Sequence, residues 1–143
     1  MKTTLYRVSI EFGDCDPAGI VWFPNFFRWI DNASRHFFTE NGVPRWEETA
    51  RTIGVIGTPL VDTHTRFVKT ATYGEELVVA THVSEWRAKT FTQVHRVTRP
   101  RSGAEDDLIC EGSEIRAFVR RDADDPDRLR AMPVPEDIRA LCS

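Results

Sequence analysis

Two aspartates flank a cysteine in the segment Gly13-Asp14-Cys15-Asp16-Pro17-Ala18-Gly19, and no other stretch of the chain is better equipped for chemistry. A carboxylate can attack an electrophilic carbonyl carbon or activate a water molecule as general base. Asp16 precedes Pro17, which biases its backbone toward an extended conformation and locks the turn, so its carboxylate can be presented in a fixed direction. Ile20-Val21-Trp22-Phe23 then leads into Pro24, a good first residue for a helix. The N–H groups just before that helix, that of Phe23 above all, lie where partial positive charge would stabilise the oxyanion of an attacked carbonyl. Pro24 itself has no N–H to offer. The plainer alternative is that Asp14 and Asp16 both accept hydrogen bonds from turn amides, the common role of Asp beside Pro and Gly. Cys15 is a rival nucleophile, but the sequence places no base beside it.

The cationic candidates are Arg87 and Lys89, two apart and so on one face of a strand, with Arg128 and Arg130 in the same relation. Arginine matches phosphate oxygens with forked hydrogen bonds, although alternating exposed cations also serve solubility. Asp31 lies two turns beyond Pro24, within reach of Arg28 or Arg35 as a partner. Trp22, Phe23 and Trp29 are suited either to a core or to stacking on an aromatic ligand. The four histidines, His36, His64, His82 and His95, form neither a metal-binding His-Glu-x-x-His pattern nor the motif of a hydrolase elbow. There is no Gly-rich phosphate loop and no Cys/His cluster of metal spacing, so neither cofactor nor metal is expected in the chemistry.

The elements that must carry these residues follow from periodicity. Residues 5–12 alternate, with Tyr6, Val8, Ile10 and Phe12 on one face, as in a half-buried strand. Phe26, Trp29, Ile30, Ala33 and Phe37 recur at helical spacing and predict a helix over about 24–41, stopped by Gly42. Trp46 to Arg51 adds one or two helical turns. Leu60–Val68, Glu76–Arg87, Thr90–Thr98 and Asp107–Arg120 read as long antiparallel strands separated by polar or Gly-containing turns. A charged loop around Asp124 precedes a short tail, in which Pro135 opens a terminal helix. The class is α+β, one domain over residues 1–143. Lys+Arg 19 against Asp+Glu 22 gives a net charge of −3, which argues against a dedicated nucleic-acid binder. Three widely spaced cysteines, no apolar leader and no membrane-length span predict a cytoplasmic protein.

The run from Glu11 to Trp22, continued by Phe23-Pro24-Asn25, Arg28-Trp29-Ile30-Asp31, Gly57-Thr58-Pro59, Glu85-Trp86-Arg87 and Leu141-Cys142-Ser143, resembles the 4-hydroxybenzoyl-CoA thioesterase family over nearly the whole chain. That resemblance implies a hot-dog fold, a long central helix packed on an antiparallel sheet of about five strands. It implies hydrolysis of an aromatic acyl-CoA, with Asp16 as attacking group or general base and the Phe23 amide polarising the carbonyl. By the same resemblance Asp31 and Thr58 border the acyl group, Trp22 belongs to the substrate site, and Arg87, Lys89 and Arg130 hold coenzyme A phosphates. A homotetramer built as a dimer of dimers, with sites between subunits, is also implied. Phe23 departs from the Tyr of the compared member, which opens the preference to benzoyl and other aryl groups. The rival readings are a thioesterase for aliphatic acyl-CoA or acyl-carrier-protein substrates and a non-catalytic acyl-CoA binding module. A pure binder gains nothing from an anion facing a thioester.

Overall fold

A computed structural model describes all residues 1–143. Its elements are β1 (Thr3–Ser9), α1 (Pro24–Glu40), α2 (Trp46–Thr52), β2 (Leu60–Phe67), β3 (Glu76–Trp86), β4 (Thr90–Arg99), β5 (Asp107–Ala117), β6 (Val119–Arg121), β7 (Leu129–Ala131) and α3 (Glu136–Leu141). Strands β1 to β5 form one antiparallel sheet in the order β1-β3-β4-β5-β2, and β6 and β7 form a separate hairpin. This is the expected central helix on a five-stranded sheet.

Helix α1 forms because Phe26, Trp29, Ile30, Ala33 and Phe37 make one continuous apolar stripe, and all five are buried. Its N-terminal half packs with Val8, Leu77, Val79 and Val97. Its C-terminal half contributes Phe37 and Phe38 to a second cluster with Phe91, Phe118, Val55 and Ile138, in which Phe38 meets Phe91 edge-on at 5.4 Å. A polar layer crosses the inner sheet face between the two clusters. Thr81, Gln93, His95, Glu114 and Arg116 are all buried there, and Ser34 of α1 donates its hydroxyl to Gln93.

Gly112 on β5 stands opposite Thr65 of edge strand β2. A Cβ at Gly112 would overlap the His64 carbonyl oxygen, so only glycine lets β2 approach β5 this closely. At the far end of the sheet Asp107 receives hydrogen bonds from Lys69 at 2.8 Å and from Arg99 Nη2 at 2.8 Å, and Arg99 also reaches Glu75 and the Thr70 carbonyl. This clamp ties the β4–β5 turn to the β2–β3 connection.

Two sequence expectations are corrected. The first strand stops at Ser9, and Phe12 does not continue its buried face: it lies in a 3₁₀ turn, Phe12–Asp14, exposed and edge-on to Tyr73. The single strand expected over Asp107–Arg120 breaks at Phe118, because Ala117, Phe118 and Val119 are buried in succession. Phe118 turns into the aromatic cluster, donating its N–H to the Lys89 carbonyl and accepting from Met132, and the chain restarts as the β6–β7 hairpin.

Gly112→Ala is expected to destabilise the fold by about 3 kcal/mol or more, read by urea unfolding. The Lys69 and Arg99 hydrogen bonds hold the Asp107 carboxyl at about 2 against an ordinary 3.8. A depressed folded-state pKa gives stability that is fully present above 3.8 and lost as pH falls toward 2. Asp107→Asn therefore lowers the melting temperature at pH 7, and the gap to the wild type closes across that acidic window.

Candidate active site

The loop between β1 and α1 is fastened by Asp14. Its Oδ2 accepts the Glu11 N–H at 2.8 Å and its Oδ1 pairs with Arg28 at 3.0 Å. Its backbone carbonyl accepts the Trp22 N–H at 2.9 Å and the Asn25 side-chain amide at 2.8 Å. Asp14 is thus a turn residue, as the plainer reading had it. Asp16 is also partly one: its Oδ1 accepts the Ala18 N–H at 2.8 Å, its N–H donates to Ile20, and its carbonyl accepts from Gly19, whose φ of +80° favours glycine. The Asp16 Oδ2 makes no hydrogen bond within the chain, so one oxygen sets the carboxylate's direction while the other is free to react.

Phe23 is the N-cap of α1, followed by Pro24 at the first helical position. The Asn25 and Phe26 amides turn back to the Trp22 and Phe23 carbonyls, whereas the Phe23 N–H finds no acceptor in the chain. It is an open donor at the positive end of a 17-residue helix. Trp22 and Phe23 are exposed beside it. Phe23 stands edge-on to Phe27, which meets Phe67 of edge strand β2. A row of aromatic rings, exposed at Phe23 and Phe67 and half-buried at Phe27, therefore leads from the Asp16 loop to the sheet edge.

Asp31 and Thr58 come together elsewhere, in the wall of a cavity of about 340 Å³ that Asp16 does not line. Asp31 pairs with neither Arg28 nor Arg35, the partners its position on the helix predicts. Its Oδ1 is 2.9 Å from Nη2 of Arg116 on β5, while Arg28 is drawn away to Asp14. Arg116 is buried and donates also to Glu114 at 2.9 Å and, through Nη1, to the Thr58 carbonyl at 3.0 Å. Glu114 accepts the Nε2–H of His95 at 2.6 Å, and Thr81 Oγ1 lies 2.8 Å from His95 Nδ1. Burial pushes the Glu114 carboxyl up, but the hydrogen bonds and charges of His95 and Arg116 outweigh it and leave it below the usual carboxylate range. Sequence reasoning had set His95 aside and passed over Glu114 and Arg116. The available signal was polar residues at the inward parity of long strands, which register alone exposes.

Of the three cations, Arg87 and Lys89 lie in the β3–β4 turn and Arg130 lies on β7. Lys89 has no acidic partner; its carbonyl accepts from Phe118, and that of Ala88 accepts from Val134, so the β3–β4 turn lies against the segments flanking the β6–β7 hairpin. Arg87 pairs with Glu85 at 3.1 Å, and Arg130 pairs with Asp122 at 2.8 Å. A backbone hydrogen bond from Asp124 and the Arg130 pair hold Asp122 below the ordinary carboxylate range. Cys15 is half-buried, its thiol 3.9 Å from the Glu11 carbonyl, and the buried Cys110 and Cys142 thiols are pushed up to about 12 by desolvation. No three His, Cys, Asp or Glu side chains are grouped to hold a metal ion, and no helix is long and apolar enough to cross a membrane.

Residues 10–141 match the family model of the thioesterase-like superfamily. The chain is 48% identical over 142 residues to the 4-hydroxybenzoyl-CoA thioesterase of Pseudomonas sp. (strain CBS-3), covering 99% of each. Among solved structures it is similar to an aspartate-to-asparagine variant of 4-hydroxybenzoyl-CoA thioesterase complexed with 4-hydroxybenzoyl-CoA, with a TM-score of 0.94, 44% identity and 100% of both chains covered. It is also similar to a gentisyl-coenzyme A thioesterase, with a TM-score of 0.76 and 28% identity over 97% of this chain and 98% of that one.

If Asp14 fastens the loop to the helix, Asp14→Ala leaves the Glu11 amide and Arg28 without their partner. The expected loss is about 1–2 kcal/mol by denaturant unfolding, with faster proteolytic nicking confined to residues 11–22.

Proposed function

The chain belongs to the thioesterase-like superfamily, and from that premise we propose that it hydrolyses an aromatic acyl-CoA thioester to the free acid and coenzyme A. The observation that carries the reading is the pairing of a carboxylate having one anchored and one free oxygen, Asp16, with the unpartnered Phe23 amide at the start of α1. In the direct route the free Asp16 oxygen attacks the thioester carbon, and the resulting oxyanion lies against the Phe23 N–H. The carbon–sulfur bond breaks with coenzyme A leaving as thiolate, and water resolves the mixed anhydride to the acid and a regenerated carboxylate. In the alternative route Asp16 takes a proton from water, which attacks the same carbon. Both routes use groups of this chain alone, with no cofactor and no metal.

The aromatic class rests on the relatives, which act on 4-hydroxybenzoyl-CoA and gentisyl-CoA. Trp22 would flank the acyl group beside the loop, and Asp31 and Thr58 would border it from the cavity they line. Arg87, Lys89 and Arg130 would hold the phosphates of coenzyme A, with Arg87 and Arg130 exchanging Glu85 and Asp122 for phosphate oxygens. Since Asp16 does not line that cavity, the reading has Asp16 of one chain facing residues of another, which accords with the homotetramer, a dimer of dimers, that the family resemblance implies. The exposed β2 edge, with Leu60, Val61 and Phe67 outward, supports such a contact. Three unpaired cysteines fit a cytoplasmic setting.

The test is thiol release from benzoyl-, 4-hydroxybenzoyl-, phenylacetyl- and hexanoyl-CoA by the wild type and by Asp16→Asn. Turnover of the aryl substrates, with a loss of about 100-fold or more in the variant, is expected. A variant that matches the wild type returns Asp16 to the role of a turn residue, and a preference for hexanoyl-CoA moves the substrate class to aliphatic acyl groups.

A further inference from the structure

The buried array behind Asp31 is not explained by stability. Arg116 and Glu114 are each less than a tenth exposed, and His95 is almost fully buried. Burying such charges carries a desolvation penalty, and a well-packed apolar set of the same volume is generally as stable or more so. Arg116 Nε is moreover buried without any acceptor, an uncompensated loss of the kind that calls for a reason other than packing.

The geometry shows where the array leads. Arg116 is held from three elements: the Thr58 carbonyl ahead of β2, Glu114 on β5 and Asp31 on α1. Thr58 and Glu114 are buried; Asp31 is 68% exposed and lines the 340 Å³ cavity. Two fixed acceptors therefore fix the guanidinium, and the guanidinium fixes one oxygen of Asp31. The second Asp31 oxygen has no partner in the chain and so becomes a hydrogen-bond acceptor of set orientation in the cavity wall. A ring bearing a hydrogen-bond donor satisfies that oxygen. A ring without one strips it of water and returns nothing.

We propose that Arg116, anchored by Glu114 and the Thr58 carbonyl, is a positioning residue that aims the Asp31 carboxylate into the cavity and thereby sets the preference for acyl rings carrying a hydrogen-bond donor. The inference rests on the aryl-CoA reading above, and its test does not need turnover. The probes are S-(4-hydroxyphenacyl)-CoA and S-phenacyl-CoA, thioethers that lack the scissile thioester, bound to the full-length protein in a calorimeter. The variants are Arg116→Lys, which keeps a charge beside Glu114 but loses the planar fork, and Glu114→Gln, which weakens the anchor and serves if the first fails to fold; thermal unfolding reports which do. Wild type is expected to favour the hydroxylated probe. Either variant lowers that affinity ratio about tenfold while S-phenacyl-CoA binding stays within about twofold, and neither lowers it further in an Asp31→Ala background. Equal losses for both probes, a loss that persists without Asp31, or a wild type that does not discriminate would each overturn the inference. A wild type that discriminates between the thioethers yet releases no thiol from the thioesters leaves the inference standing and defeats the proposed reaction.

Discussion

Asp14 ties the loop that carries Asp16 to the start of α1. Its carboxylate takes the Glu11 amide on one side and Arg28 of α1 on the other, while its carbonyl takes the Trp22 and Asn25 N–H groups. Two of these four hydrogen bonds close the Gly- and Pro-rich loop on itself, and the other two, from Asn25 and Arg28, tie it to the first turns of α1. The loop is closed further by the Asp16 N–H on the Ile20 carbonyl, and it is held to the β2–β3 connection by the Val21 N–H on Ala71 and the Thr72 hydroxyl on the Gly19 carbonyl. The free Asp16 oxygen and the open Phe23 N–H therefore share one frame, and preorganisation of this kind makes a donor effective during reaction.

The sheet serves the helix in turn. The sheet, together with Val55, Phe118 and Ile138 at its end, buries the apolar stripe of α1, which fixes the direction of its N-terminus and so of the Phe23 N–H. The core is apolar at both ends of the helix and polar in the middle. That middle layer is where Arg116 emerges beneath α1 to meet Asp31, two helical turns from the loop. The fold therefore presents two polar loci along one helix, a free carboxylate oxygen and an open amide at its start and an acceptor halfway along. Their separation within one chain is a reason to look for a site completed between chains.

What the sequence made legible was what short-range rules control. Pro24 and the spacing of Phe26, Trp29, Ile30, Ala33 and Phe37 placed the helix within a residue of its observed end at Glu40. Runs rich in Val, Ile, Thr and Phe between polar or Gly-containing turns placed β3 and β4, and the Asp-Pro-Gly pattern marked the loop. Phe12 and Phe118 escaped because a tertiary preference overrode strand alternation at each: Phe12 swings out against Tyr73, and Phe118 is pulled into the aromatic cluster. Asp31 was read with helical neighbours because i, i+3 and i, i+4 partners are all a sequence displays. Its true partner lies 85 residues away, brought there by the β4–β5 and β2–β5 registers. The Glu114–His95 pair is likewise a product of strand register, which no local pattern encodes.

The central claim is that the Asp16 loop and the start of α1 converge on one thioester carbonyl. A crystal structure of the Asp16→Asn variant with bound 4-hydroxybenzoyl-CoA tests it most directly. The account predicts the thioester oxygen about 3 Å from the Phe23 nitrogen, with the side chain at position 16 next to the carbonyl carbon. A thioester seated away from this loop, or a Phe23 amide bonded to a protein acceptor in the complex, would contradict it.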